Sequence, residues 1–192
     1  MSGYFAAALK EDCVFDLFYG TDYHSHLGTR RAGMAVYGKE GFNRSIHNIE
    51  NAPFRTKFTY DVAEMHGNMG VGIISDYDPQ PLLVRSHHGT YAIVTIGKIN
   101  NTQEIIDELF RDGTSHFMEM TNGELNKTEM VAALINKQDN IIAGIKYAQQ
   151  KIDGSMSIMM LTTKGVYCAR DALGRTPIHI GVKEEGYCAC FE

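Results

Sequence analysis

Serine, cysteine and histidine are the side chains here that could do chemistry. Ser2 is a small second residue, of the kind from which an initiator methionine is usually removed. Removal of Met1 would leave a free α-amine with a pKa of about 8 on Ser2, a residue that by itself is commonplace at this position. Cys13 reads as a small apolar helix residue. Cys188 and Cys190 fall on one face of a strand, since side chains repeat every second residue, but no His or Cys pair stands at zinc spacing, so they are read as packing and no metal is expected. His24, His26, His87 and His88 are read as structural or solvent-facing. The Gly67 to Gly72 run lacks the lysine and the strand-glycine-helix setting of a phosphate loop, and reads as a tight turn entering a strand.

These residues are carried by elements that the local pattern outlines. A strand over 4–7 precedes a helix over 13–26, capped by Asp12, with Val14, Phe15, Leu17 and Phe18 on its apolar face and Gly28 ending it. Segments 32–38 and 42–48 form a hairpin around Gly38 and Gly41, and a helix covers 56–65. Strands follow over 70–75 and 82–96, the latter turned at Ser86-His87-His88-Gly89. Asn101 with Glu104 and Asn126 with Glu129 are capping-box signals for two helices; the first carries Ile105, Ile106, Leu109 and Phe110 and runs to Gly113. Asp139 opens another, with Ile141, Ile142, Ile145 and Ile152 buried and Gly154 closing it. Strands and tight turns then alternate to residue 191. Strands at both ends with two groups of helices between them make an α+β fold of antiparallel sheets and segregated helices the economical reading.

The bulk numbers exclude several roles. A chain of 192 residues, 44% hydrophobic and 21% charged, can bury a core and is not disordered. A net charge of -5 without a Lys/Arg run gives no footprint for nucleic acid. No run approaches the roughly 20 apolar residues that span a bilayer, and no signal peptide is visible, so a cytoplasmic protein with reduced thiols and no membrane partner is expected.

Five blocks, in order, carry a family resemblance: Met1-Ser2-Gly3-Tyr4-Phe5, His26-Leu27-Gly28 through Ala32-Gly33 to Ala35, Gly67-Asn68-Met69-Gly70-Val71-Gly72 continuing to Ser75, the run from Gln80-Pro81 through Thr95-Ile96-Gly97 to Asn100-Asn101, and Ala169-Arg170-Asp171 to Pro177. Together they resemble the glutamine amidotransferase half of amidophosphoribosyltransferases, a class II amidotransferase and N-terminal nucleophile hydrolase. The resemblance implies a four-layer αββα sandwich, with two antiparallel sheets flanked by helices. It implies that the α-amine of the first residue activates a cysteine, which attacks the glutamine amide and releases ammonia for phosphoribosyl diphosphate in purine biosynthesis. No cofactor is implied in this domain.

The same resemblance marks the departures. Ser2 stands in the place of the cysteine nucleophile, Leu27 in that of an arginine between His26 and Gly28, and Ser75 in that of the arginine that holds the substrate carboxylate. Gly97 keeps the oxyanion N–H, but Ile96 replaces its asparagine neighbour, and losing one such donor costs about 3 kcal/mol of transition-state stabilisation. Lys127 replaces the aspartate that binds the substrate ammonium. Independent drift would scarcely spare the scaffold glycines while removing these five. The expectation is therefore an amidotransferase domain with a degenerate glutaminase site. The alternatives are an active glutaminase using Ser2 or Cys13, or a binding or regulatory platform for a different anionic ligand. The chain is expected to end inside the domain and to lack its phosphoribosyltransferase half; its partners would be that half, glutamine or a related small molecule, and further copies in a homo-oligomer.

Overall fold

The structure is a computed structural model that describes residues 2–111, 113, 120–121 and 123–192. Twelve strands and five helices are formed among them. In chain order they are β1 (Ser2–Leu9), α1 (Val14–Tyr23), β2 (Arg31–Gly38), β3 (Gly41–Asn48), α2 (Phe54–Glu64), β4 (Met69–Ser75), β5 (Leu82–Ser86), β6 (Gly89–Ile99), α3 (Thr102–Arg111), β7 (Met120–Thr121), β8 (Glu124–Leu125), α4 (Lys127–Ile135), α5 (Ile141–Lys151), β9 (Gly154–Thr162), β10 (Gly165–Ala169), β11 (His179–Lys183) and β12 (Gly186–Cys190). One sheet runs β11-β12-β1-β4-β2-β3, a second runs β10-β9-β6-β5, and β7 pairs with β8. Every pairing is antiparallel.

Strand alternation sorts the side chains into layers. Tyr4, Ala6, Ala35, Val71 and Ile73 face Ala92, Val94, Met159 and Leu161 of the other sheet and fill the space between them. The opposite face of the first sheet, with Ala32, Met34, Val36 and Ile74, packs on Val14, Leu17 and Phe18 of α1 and Phe54 and Phe58 of α2. The second sheet's outer face packs on Ile105, Leu109, Met130, Leu134 and Ile145 of α3, α4 and α5. This is the αββα sandwich. Each sheet is apolar on both faces because each is covered on both.

The Gly-Val-Gly run of β4 follows from this layering. A Cβ at Gly72 would lie 2.0 Å from Thr21 Oγ1, and one at Gly70 would lie 2.6 Å from Leu17 Cδ2, so α1 seats directly on the strand while Val71 and Ile73 serve the inter-sheet core. The 170–177 turn is tied down from both sheets: Tyr4 donates its hydroxyl to Pro177 O at 2.7 Å, and Ser157 Oγ donates to Thr176 O at 3.2 Å.

Several local expectations are corrected. The first helix stops at Tyr23 and continues as a 3-10 turn over His24–Leu27. Asp12 does bond the helix start, accepting from Val14 N at 2.9 Å, yet Phe15 of the expected apolar face is 64% exposed. Asn101 spends its side chain on Lys151 O and Asp153 N, joining the start of α3 to the end of α5 rather than closing a capping box. Phe110 on α3 and Ile142 on α5 are exposed, and Asn140, not Asp139, caps α5 by accepting from Ala143 N. Asn126 caps as expected, accepting from Thr128 N and Glu129 N. Asp112, near the expected end of α3, lies outside the described residues.

Candidate functional site

One end of the sandwich holds a cavity of about 430 Å³ between the sheets. Ser2, Ser75, Ile96, Gly97 and Lys127 all line it. The strand order explains their meeting. Ser2 begins β1 and lies opposite Ser75 at the end of β4; both occupy positions in step with Tyr4 and Ile73, which face the inter-sheet space. Ile96 and Gly97 lie on β6 of the other sheet, opposite Ser157 and Met156 of β9. Lys127 is the first residue of α4. Met1, whose removal the N-terminal nucleophile reading requires, lies outside the described residues.

Sequence reasoning reached the segment that assembles this end only as Gln80-Pro81, the start of a resemblance block, and gave it no role. Residues 76–81 leave β4 and cross to β6, where Gln80 is buried and grips one residue with both ends of its amide. Its Oε1 accepts from Thr95 N at 2.7 Å and its Nε2 donates to Thr95 O at 3.2 Å. This side chain does for β6 what a strand would do. Gln80 precedes a cis bond to Pro81, and the segment passes so close to β2 that a Cβ at Gly33 would lie 1.8 Å from Gln80 O. Asn126 Nδ2 donates to Pro79 O, and Thr95 Oγ1 and Thr128 Oγ1 share a 2.6 Å bond, locking α4 to the same place.

That clamp fixes the direction of the Gly97 amide. A strand presents its N–H and C=O groups to alternate edges. Gln80 takes those of Thr95 on the edge away from β9, so Gly97, two residues on, presents its own on that edge. The last β5 partner on this side is Leu82, opposite Ile93, so among the described residues no strand covers Gly97 there. Ile96 adds an aliphatic wall to the cavity and no side-chain donor.

The electrostatics are mixed. Ser75 is buried and accepts from Tyr77 N at 3.1 Å, so it brings a hydroxyl and no charge. Asp78 accepts from Lys127 N at 3.0 Å. Burial pushes its carboxyl above the usual range, opposed by that bond and by the charges of Lys127 and Arg31. Lys98 lines the same cavity, which therefore carries two lysines and one aspartate. Tyr77 and Asp78 went unread because a turn of Asp, Tyr and Pro looks like any surface loop; the Pro-Gln-Pro run was the available signal.

The remaining candidates lie elsewhere. His26 is exposed, bonded to Tyr23 O and paired with Glu192; Leu27 packs beside Gly3, and Gly28 leaves the 3-10 turn in extended conformation. None of the three lines the cavity. Cys13 is fully buried with Ala7 and Leu9 at the start of α1, and burial pushes its thiol up to about 12. Iodoacetamide at pH 8 is therefore expected to leave Cys13 unmodified in the folded protein and to alkylate it after denaturation, as read by peptide mapping. Native labelling would mean that the helix start opens readily. The other three cysteines are half-buried and free, and the described residues contain no cluster of three or more metal-ligating groups.

The geometry can be set beside known proteins. The chain is 28% identical over 178 residues to the amidophosphoribosyltransferase of Methanocaldococcus jannaschii, and 23% over 184 residues to that of Methanothermobacter thermautotrophicus. These alignments cover 88% and 92% of the chain but 36% and 38% of the relatives, so it spans little more than a third of their length. A solved structure of the glutamine phosphoribosylpyrophosphate amidotransferase from B. subtilis, in complex with ADP and GMP, superposes with a TM-score of 0.85 at 20% identity, over all of this chain and 42% of that one. It shares the fold. No helix among the described residues is long and apolar enough to cross a membrane. The family model for the glutamine amidotransferase domain matches residues 66–191, from the turn before β4 to the end of the last strand, and the chain belongs to that family.

Proposed function

We propose that this domain keeps the scaffold and cavity of a class II glutamine amidotransferase while lacking an efficient glutaminase centre. It would serve as a folding or regulatory platform for a phosphoribosyltransferase half that can use free ammonia. One observation carries the reading: the positions the family uses for nucleophile, carboxylate clamp, oxyanion donor and ammonium clamp converge on a single cavity, and there they carry a hydroxyl, a second hydroxyl, an aliphatic chain and a cation. Lys127 would repel the ammonium of a bound amino acid. Convergence argues for descent, and the substitutions argue against turnover. Glutamine binding, the second half, phosphoribosyl transfer in purine biosynthesis, oligomerisation and a cytoplasmic setting belong to the same proposal; no cofactor is required in this domain.

The direct test is glutamate release from glutamine by the purified chain with its N-terminus verified by intact mass. We expect no release above the uncatalysed background; robust turnover overturns the proposal. One observation favours a second reading in which Ser2 still acts as nucleophile, namely that it borders the same cavity as the uncovered edge of Gly97. In that case an electrophilic glutamine analogue would add to Ser2, and Ser2→Ala would abolish both adduct and activity.

A further inference from the structure

The open edge of β6 at Gly97 has an occupied counterpart one rung away. Gln80 lays its side-chain carboxamide along that edge, so that Oε1 accepts from Thr95 N at 2.7 Å while Nε2 donates to Thr95 O at 3.2 Å. One planar group thus satisfies both main-chain atoms of one residue. Gly97 is the next residue to present its N–H and C=O to the same edge, about 7 Å further along the strand. Among the described residues no hydrogen bond reaches either atom there. Gln80, Thr95 and Gly97 all line the cavity beside Ser2, so the filled rung and the open one are a single stretch of its wall.

The filled rung shows which group fits the open one. To meet the N–H and the C=O of one residue together, a ligand must carry an acceptor and a donor side by side, pointing the same way. A primary carboxamide does so, because one of its two N–H bonds lies on the same side as its oxygen. A trans secondary amide holds its N–H opposite its oxygen and can meet only one of the two atoms. A carboxylate has no donor and sets a charge against the Gly97 carbonyl. The rest of the cavity decides what the carboxamide is attached to. Ile96 and Phe191 pack on the inter-sheet core and turn apolar surface to the cavity. Asp78 offsets only one of Lys98 and Lys127, so the lining disfavours an ammonium.

Resting on the reading of this cavity as a disabled glutaminase site, we infer that it takes a primary carboxamide on a small apolar body without an ammonium. The carboxamide oxygen accepts from Gly97 N, and its N–H donates to Gly97 O, beside the Gln80 amide and in the same orientation. The C=O of Gly97 is as much a part of this contact as its N–H. The body of the ligand then lies against Ile96 and Phe191, away from the amino-acid geometry that Lys127 opposes.

The test is a titration of the isotope-labelled full chain with benzamide, N-methylbenzamide, isoindolinone and L-glutamine, read by the amide NMR resonance of Gly97. Benzamide is expected to bind saturably and to move that resonance to lower field. N-methylbenzamide, which loses the donor beside the oxygen, and glutamine are each expected to bind about tenfold or more weakly. Isoindolinone is a secondary amide whose ring locks the N–H beside the oxygen, and it is expected to bind like benzamide. If it is as weak as N-methylbenzamide, the discrimination is only one of size and the inference is overturned. Absence of saturable benzamide binding across the millimolar range overturns it, as does saturation that leaves the Gly97 resonance in place. Equal affinity for N-methylbenzamide, or glutamine binding as tightly as benzamide, also overturns it. Binding is read here without turnover, so its failure is distinct from glutamate release, which overturns the reading beneath it.

Discussion

Ser2→Cys alone is expected to release no more glutamate from glutamine than the parent chain, even with Met1 removed. The variant Ser2→Cys/Ser75→Arg/Ile96→Asn/Lys127→Asp is expected to gain at least about a hundredfold in kcat/KM over Ser2→Cys. A thiol restores the nucleophile, but it acts on an amide that nothing yet orients. Ser75 contributes a hydroxyl that Tyr77 N already donates to, and Lys127 opposes an ammonium. Ile96 leaves the Gly97 amide without a side-chain partner in stabilising an oxyanion, a deficit of about 3 kcal/mol, which by itself is a factor of roughly a hundred. Because the four positions border one cavity, their effects are expected to couple rather than add. A glutamate-release assay on the single, triple and quadruple variants reads this directly. Full activity from Ser2→Cys alone would show that the other four departures, Leu27 included, are tolerated, and the degenerate reading would reduce to the loss of one sulfur.

Gln80→Leu is expected to cost about 3 kcal/mol of folding stability, seen as a lower denaturation midpoint and a melting temperature lower by roughly 6–12 °C. Leucine fills similar space, but it leaves the N–H and C=O of Thr95 without partners in a place where Thr95 is 6% exposed and Gln80 4% exposed. Each buried group left unpaired costs about 1–3 kcal/mol. Gln80→Glu should fall between parent and Leu, since a carboxylate can accept from Thr95 N but cannot donate to Thr95 O. A loss under about 1 kcal/mol for Gln80→Leu would mean that water replaces the amide, and that the 76–81 segment is held chiefly by Asn126 and by its passage over Gly33.

What the sequence made legible is what local chemistry controls. The β2–β3 hairpin, the Asn126 cap and the strand-like run of β9 each follow from residues within a few positions of one another. The layered arrangement and the altered site positions were reached through the resemblance. Long-range pairing was opaque. Nothing near Asn101 reveals that its amide is committed to Lys151 and Asp153, about fifty residues on. Nothing near Arg31 tells that β4 will lie beside β2 and set it opposite Ser75. The exposure of Phe15 and Ile142 shows the same limit, since an apolar residue beside a buried stripe reads as part of it until the packing partner is known. Gln80 is the instructive case: the Pro-Gln-Pro run marks the place, but the clamp it makes comes entirely from the strand it meets.

Where β5 ends, the second sheet stops being a sheet on that side. Past the Leu82–Ile93 pair, β6 runs on with one edge held by β9 and the other by a single glutamine, and Gly97 stands beyond both β5 and that glutamine. The cavity is, in this sense, the space of a few missing strand residues. Any amide that enters it meets a backbone edge whose spacing and polarity are those of a β-ladder, and can be read by main-chain atoms that no side-chain substitution removes. That backbone edge is set by the ends of β5 and β6 and by Gln80, and so does not depend on the side chains at Ser2, Ser75, Ile96 and Lys127.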